Sequence, residues 1–148
     1  MVPAALALAL CQLPIDRDPI EASTLRPGEL ARLYRYGGRT RTGLFRSLVV
    51  VRADGTAVVK TAEAGTALRL APALRSEVVR ALASVDLQDL TKRKPRAEAP
   101  STYDGIDVYL SFRRNGRIVR WSNVTHEGVS DMPVLVTLEK VAALFERS

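Results

Sequence analysis

Residues 112–121 contain an Asn-Gly dipeptide, Asn115 and Gly116, between two segments in which apolar and polar residues alternate. Asn-Gly favours the centre of a type I′ turn, because both central residues of that turn need a positive φ angle. A two-residue loop here predicts a β-hairpin with a defined register. Its pairs are Arg114 with Arg117, Phe112 with Val119, and Leu110 with Trp121.

The two faces of this predicted hairpin differ in polarity, because successive side chains of a strand point to opposite faces. The apolar face carries Ile106, Val108, Leu110, Phe112, Val119 and Trp121. The polar face carries Tyr109, Ser111, Arg113, Arg120 and Ser122. A slip of one residue would expose Phe112 and Trp121 to water, so the alternation itself fixes the pairing.

Three further strands are predicted before this hairpin. Residues 31–38, which end in Gly37 and Gly38, and residues 43–51 are rich in β-branched and aromatic residues. Asp54 and Gly55 predict a turn that leads into residues 56–60, with Val51 opposite Val58 if the turn is two residues long. Gly65 is interpreted as a further turn.

Two amphipathic helices are predicted. The first covers residues 71–87, with Leu74, Val78, Leu82 and Val85 on one face. The second runs from Pro133 to about Arg147, with Asp131 as N-cap and with Val134, Leu138, Val141 and Phe145 on one face. The order β-β-β-α-β-β-α indicates an α+β fold: an antiparallel sheet of about five strands, built from hairpins, with two helices packed on one face.

The N-terminal residues are interpreted as a segment separate from the folded domain. Residues 1–11 are apolar, too short to span a bilayer but long enough for a signal-peptide core. Residues 8–11 resemble a lipobox that would attach a lipid anchor to Cys11, although Leu10 stands where that pattern has a small residue. We therefore expect an exported or cell-envelope protein. Residues 12–29 are interpreted as a linker and residues 30–148 as a single domain.

Cysteine and histidine usage limits the chemistry to be expected. With one cysteine and one histidine, His126, the chain cannot form an intrachain disulfide or a Cys-based zinc site, and no cofactor is expected. Ser122, His126, Ser130 and Asp131 lie close together in sequence. A catalytic triad is defined by geometry rather than by sequence proximity, so a polar loop before a helix is the better interpretation, and the chain is expected not to be an enzyme.

Positive charge is concentrated in arginine, with a formal net charge of +6. The sequence places basic residues in three regions: near Arg39, Arg41, Arg46 and Arg52; at Lys92, Arg93, Lys94 and Arg96; and at Arg113, Arg114, Arg117 and Arg120. The last group is a candidate anion-binding site, which would act by phosphate contacts. Nucleic acid is disfavoured as a partner, because aromatic residues that could stack on bases are scarce on the polar face, where Tyr109 is the clearest. No known nucleic-acid-binding motif is present either.

Several short features together resemble the emfourin-type inhibitors of protealysin-like metalloproteases. These features are Gly37 and Gly38 at the end of a strand, the Asp104-Gly105 entry to a hairpin, the Asn115-Gly116 turn, and Pro133 at a helix start. The family usually follows its Gly-Gly with an aromatic residue and another glycine, whereas residues 39–45 intervene here. The Gly-Gly pair lacks the spacing of a phosphate loop and is interpreted as a bend or bulge.

The resemblance implies a small, exported, non-enzymatic protein-binding domain whose partner is another protein, a metalloprotease in particular. The expected contact loop comprises Gly37, Gly38, Arg39, Arg41 and Gly43. The alternative is a basic module that binds a polyanion through the four arginines of the hairpin. The two hypotheses use different parts of the sheet.

Overall fold

The structure is a computed structural model, and it describes residues 18–40, 43–61, 65–86, 106–123 and 133–146. Six strands and three helices are formed by these residues. In chain order they are α1 (Pro19–Ser23), β1 (Glu29–Thr40), β2 (Gly43–Arg52), β3 (Thr56–Thr61), β4 (Gly65–Arg69), α2 (Pro72–Ser84), β5 (Ile106–Arg114), β6 (Arg117–Ser122) and α3 (Pro133–Glu146).

The strands form one antiparallel sheet in the order β4-β3-β2-β1-β5-β6. The α+β class is therefore confirmed, but the sheet has six strands where about five were predicted. The additional strand is β4: Gly65, interpreted as a turn, is instead its first residue and pairs with Lys60. β1 is also longer than predicted, because it continues past Gly38 to Thr40.

The hydrophobic core lies between one face of the sheet and the helices α2 and α3. Leu33, Val49 and Phe112 belong to a single buried cluster that also includes Val78 of α2 and Leu138 of α3. Removing this apolar surface from water stabilises the fold by about 25 cal/mol for each Å² buried. The helix faces agree with the predicted ones for the residues whose side chains are described, and Phe145 lies outside that set.

The third helix, α1, was not predicted and packs on the opposite face of the sheet. Its N-terminus is capped by Asp18, whose Oδ1 accepts the Ile20 N–H at 2.9 Å. Arg32, which alternates with the core residue Leu33, donates from its Nη1 to the Ala22 carbonyl at 2.9 Å. α1 and the buried Leu25 belong to the segment 12–29 that was interpreted as a linker, so that segment is packed against the sheet from Asp18 onward.

The turn between β2 and β3 differs from the prediction by one residue. Val51 pairs with Ala57, and Val58 pairs with Val50, so the loop consists of three residues, 53–55. Gly55 has a φ of 88°, the left-handed conformation that a three-residue hairpin loop needs at its last position. The predicted pairing of Val51 with Val58 is therefore wrong.

Candidate functional site

Among the described residues, β1 and β2 form a two-stranded extension at one end of the sheet. Their pairing continues as far as Thr40 opposite Gly43. Within the described residues, β3 pairs with β2 only up to Ser47, and β5 pairs with β1 only up to Gly37. We call residues 38–40 and 43–45 the ribbon. It carries Gly38, Arg39 and Gly43 of the predicted contact loop, while Arg41 lies outside the described residues.

A β-bulge marks the start of the ribbon. Gly37 pairs with Phe45 and Arg39 pairs with Leu44, so Gly38 is an extra residue on β1. Gly37 has a φ of 114°, which a residue with a side chain rarely adopts. The interpretation of Gly37 and Gly38 as a bend or bulge is thereby confirmed. Bulges increase the local twist of a strand pair, so the ribbon leaves the sheet in a direction set by these two glycines.

The hairpin of β5 and β6 has the predicted register. Asn115 and Gly116 have φ angles of 51° and 74°, and Arg114 pairs with Arg117. Phe112 and Trp121 are buried in the core, as the alternation predicts. The turn lies at the opposite end of the sheet from the ribbon, because β5 runs antiparallel to β1 and begins beside Gly37.

The four arginines of this hairpin do not share a surface. Arg114 and Arg117 pair on the face that carries Phe112 and the helices, whereas Arg113 and Arg120 lie on the other face. Arg114 donates a hydrogen bond from its Nη1 to the carbonyl of Val85, the C-cap residue of α2. A guanidinium at this position also interacts favourably with the partial negative charge of the helix C-terminus.

Three tyrosines meet on the face of the sheet opposite the core. The Tyr34 ring lies 6.5 Å from Tyr36 and 6.3 Å from Tyr109, measured between ring centroids. Only Tyr109 was identified from the sequence, because the pairing of β1 with β5, which sets Tyr34 opposite Tyr109, is not a local feature. Tyr34 is fully buried, so this cluster offers no open platform on which a nucleic-acid base could stack.

The surroundings of Tyr109 make its hydroxyl harder to ionise. Burial raises the pKa of Tyr109 above its ordinary value of 10.0, and the negative charge of Asp107 raises it further. Smaller contributions come from Tyr36 and Asp18. The Tyr109 hydroxyl therefore remains protonated at neutral pH.

Several residues singled out from the sequence lie outside the described residues. They are Cys11, the basic run Lys92, Arg93, Lys94 and Arg96, and the loop residues His126, Ser130 and Asp131. Among the residues that are described, no three His, Cys, Asp or Glu side chains come together in a group that could hold a metal ion. No helix in the described ranges is long and apolar enough to cross a membrane.

Comparison of the sequence with protein-family models gives no match, and comparison with curated proteins gives none either.

Proposed function

We propose that this chain is a non-enzymatic protein-binding domain that contacts its partner through the ribbon. The observation that carries the proposal is the continued pairing of β1 with β2 beyond the last pairs that the structure describes for β3 and β5. A two-stranded extension leaves backbone donors and acceptors along both of its edges, and such groups pair readily with an extended segment of another protein.

We further propose that the partner is a metalloprotease of the protealysin type, and that binding inhibits it. The support is the resemblance described above together with the continued pairing of β1 with β2 into the ribbon. Export, which this proposal needs if the protease is secreted, is supported by the apolar residues 1–11 alone.

The test is an inhibition titration of the full 148-residue chain against purified thermolysin-like metalloproteases. The full chain is preferable to a version that begins within α1, because Asp18 caps that helix. We expect loss of protease activity at a one-to-one ratio. The paired substitution Arg39→Glu and Gly43→Glu should weaken inhibition by at least about tenfold, since charges buried without partners oppose binding.

The matched control reverses two charges at the other end of the sheet, Arg117→Glu and Arg120→Glu, and should inhibit like the unmodified chain. Circular dichroism and thermal unfolding would show that both variants are folded. Full protease activity in the presence of excess folded chain would contradict the proposal. Equal inhibition by both variants would show that the ribbon is not the contact surface.

Binding of a polyanion through the arginine hairpin is the weaker proposal. Arg114 is engaged with Val85, and the other three arginines are divided between two faces, with Arg113 and Arg120 on one and Arg117 on the other. If a polyanion were bound by Arg113 and Arg120 alone, the logarithm of affinity should fall with the logarithm of salt with a slope of about −2. A slope near −4 would require all four arginines to make phosphate contacts.

A further inference from the structure

The strand β6 forms one edge of the sheet. It pairs with β5 over six consecutive residue pairs without a bulge. In the part of the chain that the structure describes, no strand pairs with its outer side. Proteins usually protect such an edge with a proline, a bulge or charged side chains. β6 has neither a proline nor a bulge, and its charged residues, Arg117 and Arg120, oppose pairing with a basic strand but not with an acidic one.

The hairpin geometry identifies which backbone groups of β6 face outward. In a two-residue hairpin the residues that flank the loop, Arg114 and Arg117, exchange hydrogen bonds, and bonded and non-bonded pairs then alternate along the strands. The Asn123 N–H donates to the Val108 carbonyl at 3.3 Å, which agrees with this alternation. The N–H and C=O groups of Ile118 and Arg120 therefore point away from β5, toward the open edge.

Three side chains of β6 are exposed, whereas Trp121 and Ser122 are buried, and both charged side chains of the strand are positive. Arg117 and Arg120 are exposed, and Ile118 is 44% exposed, which is high for a large apolar side chain in a strand. Arg113, directly opposite Ile118 on β5, adds a further positive charge to the face that carries Arg120. No acidic residue occurs in β6.

We propose that β6 binds an extended acidic segment of another protein, which adds to the sheet as a seventh strand. The segment would alternate carboxylate and aliphatic side chains. Its carboxylates would lie beside Arg113 and Arg120, and its aliphatic side chains would cover Val119 on the helix face. A second copy of this chain is the poorer occupant, because two β6 strands side by side would bring their arginines together.

This surface does not depend on the ribbon. The two lie at different ends and different lateral positions of the sheet, since the ribbon extends beyond Gly37 while β6 starts after the turn at Gly116. The protein could therefore hold one partner at the ribbon and another at β6. A failure of either proposal would leave the other standing.

The experiment measures binding of a fluorescein-labelled peptide of alternating Glu and Val, about eight residues long, to the full chain by fluorescence anisotropy. A peptide of alternating Glu and Pro carries the same charge but cannot donate backbone hydrogen bonds from its proline positions. We expect the Glu-Val peptide to bind and the Glu-Pro peptide to bind at least roughly tenfold more weakly.

A proline at position 118 tests the contribution of backbone hydrogen bonding to peptide binding separately from that of charge. Ile118→Pro removes an outward N–H while retaining all four arginines and the bonds to β5, and proline is tolerated at such edge positions. We expect roughly tenfold weaker binding, the equivalent of one lost hydrogen bond. The matched control is Ala67→Pro on the other edge strand, β4, and it should bind like the unmodified chain.

Ala67 is the appropriate control because its N–H also points outward. The Leu70 N–H donates to the Gly55 carbonyl at 2.9 Å, which makes Ala67 and Val58 a non-bonded pair by the same alternation.

The proposal is overturned if the peptide does not bind, if the Glu-Pro peptide binds equally well, or if the two proline variants bind alike.

Hydrogen exchange provides a second test that does not depend on how the proline variant folds. The amides of Ile118 and Arg120 should exchange rapidly in the free protein and become protected when the Glu-Val peptide is added. The amide of Val119, which bonds to β5, should be protected in both states. Peptide binding without added protection at residues 118 and 120 would overturn the proposal.

Discussion

Glu29 and Arg32 project from the same face of β1, although they are three residues apart in a strand. The register shift between Glu29 and Ala31 adds one residue to β1 and so reverses the alternation at this point. The Arg32 Nε then lies 2.8 Å from Oε1 and 2.9 Å from Oε2 of Glu29. Glu29 also accepts the Arg26 N–H, and Arg32 reaches the Ala22 carbonyl, so the pair joins α1 and the loop after it to the sheet.

We expect Glu29→Gln to lower the free energy of unfolding by about 3 kcal/mol, because it leaves the Arg32 guanidinium buried without its counter-charge. Both side chains are less than a tenth exposed. Urea denaturation followed by circular dichroism would measure the change. Glu77→Gln is the matched control: Glu77 pairs with Lys140 at 2.6 Å, but both side chains are about half exposed.

The control should cost less than about 1 kcal/mol, as exposed ion pairs do. Equal effects of the two substitutions would mean that the Glu29–Arg32 pair is not buried in solution.

Arg114→Ala should lower the free energy of unfolding by about 1.5 kcal/mol, the contribution of a hydrogen bond from a charged donor, since the Val85 carbonyl loses its partner at the end of α2. Arg117→Ala, directly opposite on β6, removes the same charge from an exposed position. It should change stability by no more than about 0.5 kcal/mol. If Arg117→Ala lowered the free energy of unfolding more than Arg114→Ala, the hydrogen bond from Arg114 to the C-terminus of α2 would be ruled out.

Asp54 gives a pH-dependent contribution to stability. Its Oδ1 accepts hydrogen bonds from the Thr56 hydroxyl at 2.6 Å and from the Thr56 N–H at 2.9 Å. The hydroxyl bond first, and then the backbone bond, hold the pKa of Asp54 below its ordinary value of 3.8. The contribution is therefore fully present above pH 3.8, and it is lost as the pH falls through the lower pKa of the folded state.

The corresponding variant is Asp54→Asn, which retains an acceptor oxygen but cannot ionise. We expect the unmodified chain to be more stable than this variant at pH 7, and the difference to shrink as the pH falls below 3.8. Thermal unfolding of both proteins between pH 7 and pH 2 would measure it. A difference that stayed constant over this range would contradict the assignment.

Gly116→Ala should cost about 1 kcal/mol, because a φ of 74° strains a residue that has a Cβ. An added Cβ meets no atom within 4 Å, so the backbone alone determines this cost. Gly116→Asn should cost less, since asparagine tolerates the left-handed region better than alanine does. Equal melting temperatures for alanine and asparagine would show that the type I′ turn is not what holds this hairpin.

The β5–β6 hairpin was predictable because its information is local. Asn115 and Gly116 specify the turn, and the alternation from Val108 to Phe112 specifies which face is buried. The turn at Asp54 and Gly55 was predicted with the wrong length for a related reason. An Asp-Gly pair fits either the centre of a two-residue turn or the end of a three-residue loop, and nearby sequence does not distinguish them.

The strand β4 and the helix α1, which were not predicted, lack a periodic pattern of apolar residues. β4 is five residues long and has no alternation of buried and exposed positions, so Gly65 was the stronger signal. α1 is too short to show a helical period, although Asp18 followed by Pro19 is an N-terminal signal that could have identified it. The burial of Arg32 and Tyr34 depends on what covers the second face of the sheet, and no local pattern encodes that.

For the candidate site, the division of the arginines could have been inferred from the sequence. Arg113 and Arg114 are adjacent in a strand and must point to opposite faces, so a four-arginine cluster conflicts with the predicted register. The engagement of Arg114 by Val85 could not have been inferred, because it depends on where α2 ends relative to β5. The position of β6 at the edge of the sheet likewise required the strand order.

The strand order also affects the order in which the strands pair during folding. The strands β1 to β4 are joined by short connections and pair in chain order, whereas β5 pairs with β1 across roughly seventy residues of chain. Closing that long loop is entropically costly, and contacts of this kind slow folding. We expect the four-stranded meander to form first and the β5–β6 hairpin to dock afterwards. Pulsed hydrogen exchange during refolding should therefore protect the amides of Val49 and Val50 before that of Leu110.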